Sequence, residues 1–184
     1  MSPPHLLELF SGTGSIGKVF RAAGWRVTSV DCEPRFRPTI CCDVLQLEPG
    51  MVQGHVDLIW ASPPCTMYSI ARTTAKTPRD LEGSDRLVQK VLDLADQFFC
   101  YYFMENPQSG LLKGRDVVKD IPMFVVDYCM YADADFPHKA RNFHLDEHKL
   151  DASAPAVQQG LRILRWRSTS RRGPEGASAR QAYE

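Results

Sequence analysis

Two short segments contain side chains that could do covalent chemistry on a substrate. Cys65 follows Pro63 and Pro64, so its thiol stands on a stiff, pre-shaped loop where it could act as a nucleophile. Glu105 follows four largely apolar residues, and burial there would raise the pKa of its carboxyl group and make it a suitable proton donor. Each residue also has an ordinary structural interpretation. A lone cysteine is more often a small buried hydrophobe, and a carboxylate is often satisfied by loop amides, so neither residue decides the function alone.

A glycine-rich turn near the start of the chain predicts a ligand site. Gly12, Gly14 and Gly17 have GxGxxG spacing between an apolar run and a helical pattern, where backbone amides can receive an anion. Asp31 ends the next predicted strand, and a carboxylate at that position can accept both hydroxyls of a ribose. Together, the turn and Asp31 favour a nucleoside-bearing cofactor over a plain turn and a surface aspartate.

Alternating strand and helix signals place these residues at one edge of a sheet. The pattern predicts an α/β fold whose sheet is mostly parallel, with helices on both faces. Ligands in such sheets bind outside the carboxyl ends of the strands, which is where the glycine turn, Asp31, Cys65 and Glu105 fall. The predicted strands cover residues 6–10, 27–30, 56–61, 101–104 and 124–131, and the predicted helices cover residues 16–23, 87–98 and 110–120.

Composition sets the class of protein. The 184 residues are 43% hydrophobic with a net charge of zero, which is typical of a globular protein. Residues 1–150 carry a balance of −3, and residues 151–184 carry +3 in an Arg-, Ser- and Gly-rich stretch that we expect to be a disordered tail. No apolar run is long enough for a membrane span, and the N-terminus lacks a signal-peptide pattern. Six cysteines without a CxxC pair favour an intracellular, reducing compartment, nucleus or cytoplasm, and no metal site is expected.

Taken in order, these segments resemble the motifs of the DNA (cytosine-5) methyltransferase family, which uses S-adenosylmethionine. The glycine turn resembles its first motif, Ser62 to Cys65 its Pro-Cys nucleophile motif, and Glu105-Asn106-Pro107 its Glu-Asn-Val motif with proline in place of valine. The resemblance spans about residues 5–143, and residues 77–85 look like the compact, phage- or algal-type branch. It implies a Rossmann-like methyltransferase domain over residues 1–150, followed by the tail.

The resemblance implies a role for each residue of the cofactor site. Phe10 would stack on the adenine, the backbone of residues 11–16 would hold the methionine end, and Asp31 would bind the ribose. Cys32 would flank the adenine, and Asp43-Val44 would recognise its amino group. The full set of expected cofactor-site residues is Phe10, Ser11, Gly12, Thr13, Gly14, Ser15, Ile16, Asp31, Cys32, Asp43, Val44 and Pro64.

The resemblance also implies the catalytic residues. Cys65 would attack carbon 6 of a flipped-out cytosine, on a loop that Pro64 shapes. Glu105 would contact ring nitrogen 3 and the exocyclic amine, Asn106 would brace the loop, and Arg141 would match one arginine of a later Gln-x-Arg-x-Arg motif. Residues 66–79 would be a mobile loop that closes over the substrate. Its basic side chains are available for phosphates: Arg72, Lys76 and Arg79.

The chain departs from full-length members of that family in its C-terminal part. A target-recognition domain and the final motifs are not recognisable after residue 143, so a separate recognition subunit is one possible partner. Three interpretations remain: an active, minimal enzyme acting on DNA, a weak or inactive remnant, and either the same chemistry on RNA or another S-adenosylmethionine-dependent methyl transfer. An enzyme that methylates amino groups would have an aromatic residue where Cys65 stands. The presence of both Cys65 and Glu105 favours the DNA enzyme.

Overall fold

The computed structural model of this protein describes residues 2–127 and 140–145, which form one seven-stranded sheet and two α-helices. The helices are α1 (Ser15–Ala22) and α2 (Leu81–Phe98). The strands are β1 (His5–Leu9), β2 (Arg26–Asp31), β3 (Ile40–Cys41), β4 (Leu58–Ala61), β5 (Tyr101–Pro107), β6 (Met123–Asp127) and β7 (Ala140–Leu145).

The strand order confirms the predicted fold class. Across the sheet the order is β3-β2-β1-β4-β5-β7-β6. The first five of these strands run parallel, and β7 lies antiparallel between β5 and β6. The order of strands along the chain reverses between β1 and β4, which makes that junction the switch point where open α/β sheets bind ligands.

Each face of the sheet has its own apolar cluster, because side chains of successive strand residues point to opposite faces. In β1, Leu7 and Leu9 pack in the larger cluster with Val88 and Val91 of α2, on the helical face that the sequence predicts. Leu6 packs on the other face with residues that include Phe20 of α1 and Trp25, which follows it. The rings of Phe20 and Trp25 meet edge to face, with centroids 5.0 Å apart.

Several predicted elements differ from the structure, among them α2, which begins at Leu81 and not at residue 87. The helix predicted over residues 110–120 is wrong, because this segment forms two 3₁₀ turns, Leu112–Gly114 and Asp116–Val118. The buried apolar residues of the two turns, Leu112 and Val118, lie six positions apart, which is not the spacing of one helical face, and Val117 packs partly buried against the same cluster. Strand β5 does not stop at Met104 but continues through Pro107, because its last three residues pair with β7. Residues 128–139 and 146–184, which include the predicted domain boundary and tail, lie outside the described residues.

Neither helix in the part of the chain that the structure describes is long and apolar enough to cross a membrane. The five cysteines within these residues are free thiols.

Candidate active site

The structure brings the chemistry-bearing segments to the carboxyl edge of the sheet. The glycine turn follows β1, and Asp31 is the last residue of β2. Across the switch point, the segment ending in Cys65 follows β4, and Glu105 lies near the end of β5. The edge therefore has two halves, one suited to a cofactor and one to covalent chemistry.

The glycine turn presents open backbone at the start of α1. Gly12 and Gly14 have φ angles of 48° and 68°, in the left-handed region that favours glycine. A Cβ atom at either residue would meet nothing within 4 Å, so a ligand has room to approach. Gly14 is the N-cap of α1 and Ser15 its first residue, so the helix dipole adds partial positive charge at this end.

Asp31 links the glycine turn to β2. Its buried carboxylate accepts a hydrogen bond from the Gly12 amide at 2.8 Å (Oδ2) and from the Glu33 amide at 2.9 Å (Oδ1). An ionised carboxylate offers about four acceptor positions. Positions therefore remain through which the same side chain could accept ribose hydroxyls.

Glu8 lies beneath the turn, and sequence reasoning missed it. Its side chain is 2% exposed, and its Oε1 accepts the Gly17 amide at 3.1 Å. The other oxygen, Oε2, is buried without a hydrogen-bond partner among the described residues. Burial raises the pKa of this carboxyl group. A Cβ atom on Gly17 would overlap Glu8 Oε2 and lie 3.1 Å from Val27, so the third glycine of the turn lets α1 pack closely on the sheet.

The other predicted cofactor residues surround this half of the edge. Phe10 has a φ of 56° and packs, partly buried, against the larger apolar cluster, which contains Val88 and Val91 of α2. Cys32 and Asp43 are exposed, and Asp43 caps a short 3₁₀ turn by accepting the Leu45 amide at 2.9 Å. Val44 is 3% exposed, so its side chain belongs to the core. The remaining members of the predicted turn are Ser11, Thr13, Ser15 and Ile16, of which Thr13 and Ser15 share a hydrogen bond of 3.0 Å.

Asn106 connects the two segments of the catalytic half. It is 1% exposed, and its Nδ2 donates to the Pro63 carbonyl at 3.0 Å. Its Oδ1 has no hydrogen-bond partner in residues 2–127 and 140–145. Pro63 is buried, Pro64 is exposed, and the Cys65 thiol is partly exposed. Asn106 therefore fixes the turn two residues before the candidate nucleophile.

Glu105 and Arg141 lie on adjacent antiparallel strands. Glu105 is half-buried on β5 and pairs with Phe143 of β7. The backbone of Arg141 pairs with Pro107, two ladder positions further along β5. The four predicted catalytic positions thus lie on neighbouring parts of the sheet. Cys65 follows β4, Glu105 and Asn106 lie in β5, and Arg141 lies in β7, although it is distant in the chain.

The loop after Cys65 holds its own arginines. Arg72 donates to the Thr77 carbonyl at 2.8 Å, and Arg79 donates to the carbonyls of Met67 and Ser69, the latter at 3.1 Å. These guanidinium groups, predicted to be available for phosphates, contact loop backbone here. Lys76 is exposed.

Comparison with known proteins identifies a viral relative. The chain is 27% identical to "Probable DNA (cytosine-5)-methyltransferase" of Frog virus 3 (isolate Goorha), over 97% of this chain and 93% of the relative. No family model matches the chain. This similarity confirms the resemblance to DNA (cytosine-5) methyltransferases.

Solved structures with the same fold are also methyltransferases. The Dnmt2 methyltransferase of S. pombe has a TM-score of 0.53 at 14% identity, and the match covers 78% of this chain and 51% of that one. The EhMeth methyltransferase of Entamoeba histolytica has a TM-score of 0.54 at 14% identity, covering 79% and 53%. The magnesium protoporphyrin IX methyltransferase of Synechocystis, solved with bound SAM, has a TM-score of 0.51 at 14% identity, covering 78% and 71%. The chain spans about half the length of the first two. These matches confirm the Rossmann-like methyltransferase fold.

Proposed function

We propose that this protein transfers a methyl group from S-adenosylmethionine to carbon 5 of cytosine in DNA, through a covalent bond from Cys65 to the base. The observation that carries the proposal is that Cys65 follows β4 and Glu105 lies near the end of the neighbouring parallel strand β5, at the same edge of the sheet as the glycine turn and Asp31. The viral relative of similar length supports the same reaction class.

The cofactor half of the edge fits S-adenosylmethionine. The turn leaves space at Gly12 and Gly14 for a ligand to approach the start of α1, and the positive end of the helix dipole there would favour the carboxylate of its methionine end. Asp31 has acceptor positions left for the ribose hydroxyls. When bound, this cofactor supplies an electrophilic methyl group. The residues of this chain fix where that group lies relative to Cys65.

The catalytic half fits attack on a cytosine ring. Carbon 5 of cytosine is a poor nucleophile, but addition of the Cys65 thiolate at carbon 6 turns the ring into an enamine. Glu105, as a carboxylic acid, would protonate nitrogen 3 as that bond forms. Carbon 5 would then take the methyl group and give its own proton to water, and the Cys65 thiolate would leave as the ring regains its double bond and nitrogen 3 returns its proton to the Glu105 carboxylate. Both side chains are needed because the thiolate supplies the electron pair for the new bond and the carboxylic acid, by donating a proton, neutralises the negative charge that develops on nitrogen 3.

The substrate base must leave the duplex to meet these groups, because carbon 6 is inaccessible inside a base stack. The segment of residues 66–79, exposed or half-buried apart from Tyr68, follows Cys65 and carries the basic side chains that would contact phosphates. If Arg72 and Arg79 released the loop carbonyls that they contact and bound phosphates instead, the segment could close on the nucleic acid.

Covalent trapping tests the proposal. The protein is incubated with S-adenosylmethionine and DNA containing 5-fluorocytosine, whose fluorine blocks the final elimination and leaves the enzyme bound to its base. Cys65→Ser removes the nucleophile. Cys41→Ser is the matched control, because it makes the same change in an exposed thiol at the end of β3.

We expect an adduct with the wild-type protein and with Cys41→Ser, and none with Cys65→Ser. An adduct that survives Cys65→Ser would contradict the assigned nucleophile. An adduct that forms only on RNA carrying the same base would replace DNA as the substrate. Absence of any adduct with either nucleic acid would favour an inactive remnant. A separate recognition subunit stays a prediction, tested by whether trapping on duplex DNA needs added cell extract.

A further inference from the structure

Tyr68, three residues after Cys65, is fully buried at 0% exposure within a loop whose other members are exposed or half-buried. Its hydroxyl donates to Asp85 Oδ1 at 2.8 Å. Burial, followed by this hydrogen bond, raises the pKa of the Tyr68 hydroxyl above its ordinary value, so the group stays protonated as a donor. A buried hydroxyl without a partner is costly, so this bond selects one position for the side chain.

Asp85 is held in turn by Arg115. The Asp85 Oδ2 atom accepts from Arg115 Nε at 2.9 Å and from Nη2 at 2.6 Å, a two-pronged arrangement of opposite charges. Asp85 lies in α2, and Arg115 lies between the two 3₁₀ turns that follow β5. The side chains of the pair are 20% and 31% exposed, so they are partly shielded from solvent. Tyr68 therefore ties the loop to two other elements.

The backbone near Tyr68 is fixed as well. The Leu111 amide donates to the Tyr68 carbonyl at 2.9 Å. On the other side of the nucleophile, Asn106 donates to the Pro63 carbonyl. The chain on either side of Cys65 is thus held at Pro63 and at Tyr68, by hydrogen-bond donors from the segment that carries Glu105.

Beyond Ser69, the loop has only exposed contacts. Arg72 and Thr77 form hydrogen bonds that are open to solvent, and such bonds stabilise little. The segment therefore has a fixed base, which includes Cys65 and Tyr68, and an outer arc over residues 70–78.

We propose that Tyr68, acting through Asp85 and Arg115, is a positioning residue that holds the Cys65 thiol in place while the outer arc closes on nucleic acid. The inference rests on the proposed function, since it concerns the nucleophile of that reaction. Its physical basis is that a misplacement of about 1 Å can cost about 100-fold in rate. Tyr68 itself does not contact the reacting atoms in this role.

The test removes one oxygen atom. Tyr68→Phe deletes the hydroxyl but keeps the buried ring, and Tyr101→Phe is the matched control on a half-buried tyrosine at the start of β5. Asp85→Asn is the second variant, because it keeps an acceptor for Tyr68 but weakens the pair with Arg115. Three quantities are measured: amide hydrogen exchange of residues 66–70, the rate of 5-fluorocytosine trapping at saturating DNA, and the dissociation constant for S-adenosylmethionine.

We expect Tyr68→Phe to speed exchange in residues 66–70 and to slow trapping by about 10–100-fold, the loss associated with one hydrogen bond to a charged group. Asp85→Asn should act in the same direction. The double variant should be about as slow as the slower single variant, because both act through one network. The dissociation constant for S-adenosylmethionine should stay at its wild-type value, as a loop-positioning role leaves the cofactor site intact.

Wild-type exchange in Tyr68→Phe would overturn the inference, as would faster exchange with an unchanged trapping rate. Equal slowing by Tyr101→Phe would also overturn it, since the effect would then be general. If the wild-type protein traps no DNA, the proposed function fails. The exchange comparison then still decides whether Tyr68 holds the Cys65 loop.

Discussion

Replacing Gly17 by alanine should destabilise the fold although the residue lies in a helix. Alanine is the better helix former, and the substitution alone would stabilise α1 by about 1 kcal/mol. The new Cβ, however, would overlap Glu8 Oε2 and lie 3.1 Å from Val27. Glu8 is 2% exposed and already accepts the Gly17 amide, so moving its carboxylate away from the new Cβ would strain that bond in a filled site.

The magnitude follows from these contacts. Overpacking a filled site costs about 1–3 kcal/mol. Losing a hydrogen bond to a charged group costs about 1.5–3 kcal/mol. After the gain in helix propensity, the net loss is about 1.5–5 kcal/mol, which corresponds to about 3–20 °C in Tm for a chain of this size.

Thermal and urea unfolding of Gly17→Ala measure this loss. The matched control is Gly50→Ala, because a Cβ there meets nothing within 4 Å and should leave stability unchanged or raise it by up to about 1 kcal/mol. Adding Glu8→Asp to Gly17→Ala shortens the clashing side chain and should restore part of the loss. A Gly17→Ala protein as stable as Gly50→Ala would refute the close packing of Glu8 against α1.

Three further predictions concern buried polar groups of the site. Burial raises the pKa of Glu8, so the folded chain holds a proton that the unfolded chain releases above its ordinary value of 4.5. This contribution to stability is lost as the pH rises through the folded pKa, and Glu8→Gln should flatten the fall of Tm over that interval. Equal slopes of Tm against pH in the wild-type protein and in Glu8→Gln would contradict this prediction. Asn106→Ala leaves the Pro63 carbonyl without its donor and should lower the free energy of unfolding by about 1–3 kcal/mol in urea titrations, with slower trapping. Asp31→Asn should weaken S-adenosylmethionine binding by about 10–100-fold in calorimetry, while the exposed control Asp120→Asn binds normally. Equal affinities would remove Asp31 from the cofactor site.

Local sequence signals were enough to predict most of the edge that carries the site. Gly12, Asp31, Cys65 and Glu105 each stand where an apolar run stops, and parallel strands bring such stops to one edge. Alternating strand and helix patterns predicted a mostly parallel sheet, and the parallel pairing of β1 with β2 and β4, and of β4 with β5, confirms it. Motif spacing along the chain was therefore informative about position in space.

The supporting contacts could not be predicted in the same way. In the sequence, nothing distinguishes the role of Glu8 within its apolar strand until the packing of α1 against β1 is known. The hydrogen bond from Tyr68 to Asp85 and the pair of Asp85 with Arg115 join residues 17 and 30 positions apart. The true end of β5 depends on pairing with β7, which follows much later in the chain. Each of these features depends on packing between elements, which no local pattern encodes.

The most direct test of the central claim identifies the methylated atom. Duplex DNA is incubated with the protein and S-adenosylmethionine carrying a deuterated methyl group, then digested to nucleosides for mass spectrometry. We predict label on 5-methyl-deoxycytidine with the wild-type protein and its loss in Cys65→Ser. Label on an exocyclic amine, or label at carbon 5 that persists in Cys65→Ser, would contradict cytosine-5 methylation through Cys65.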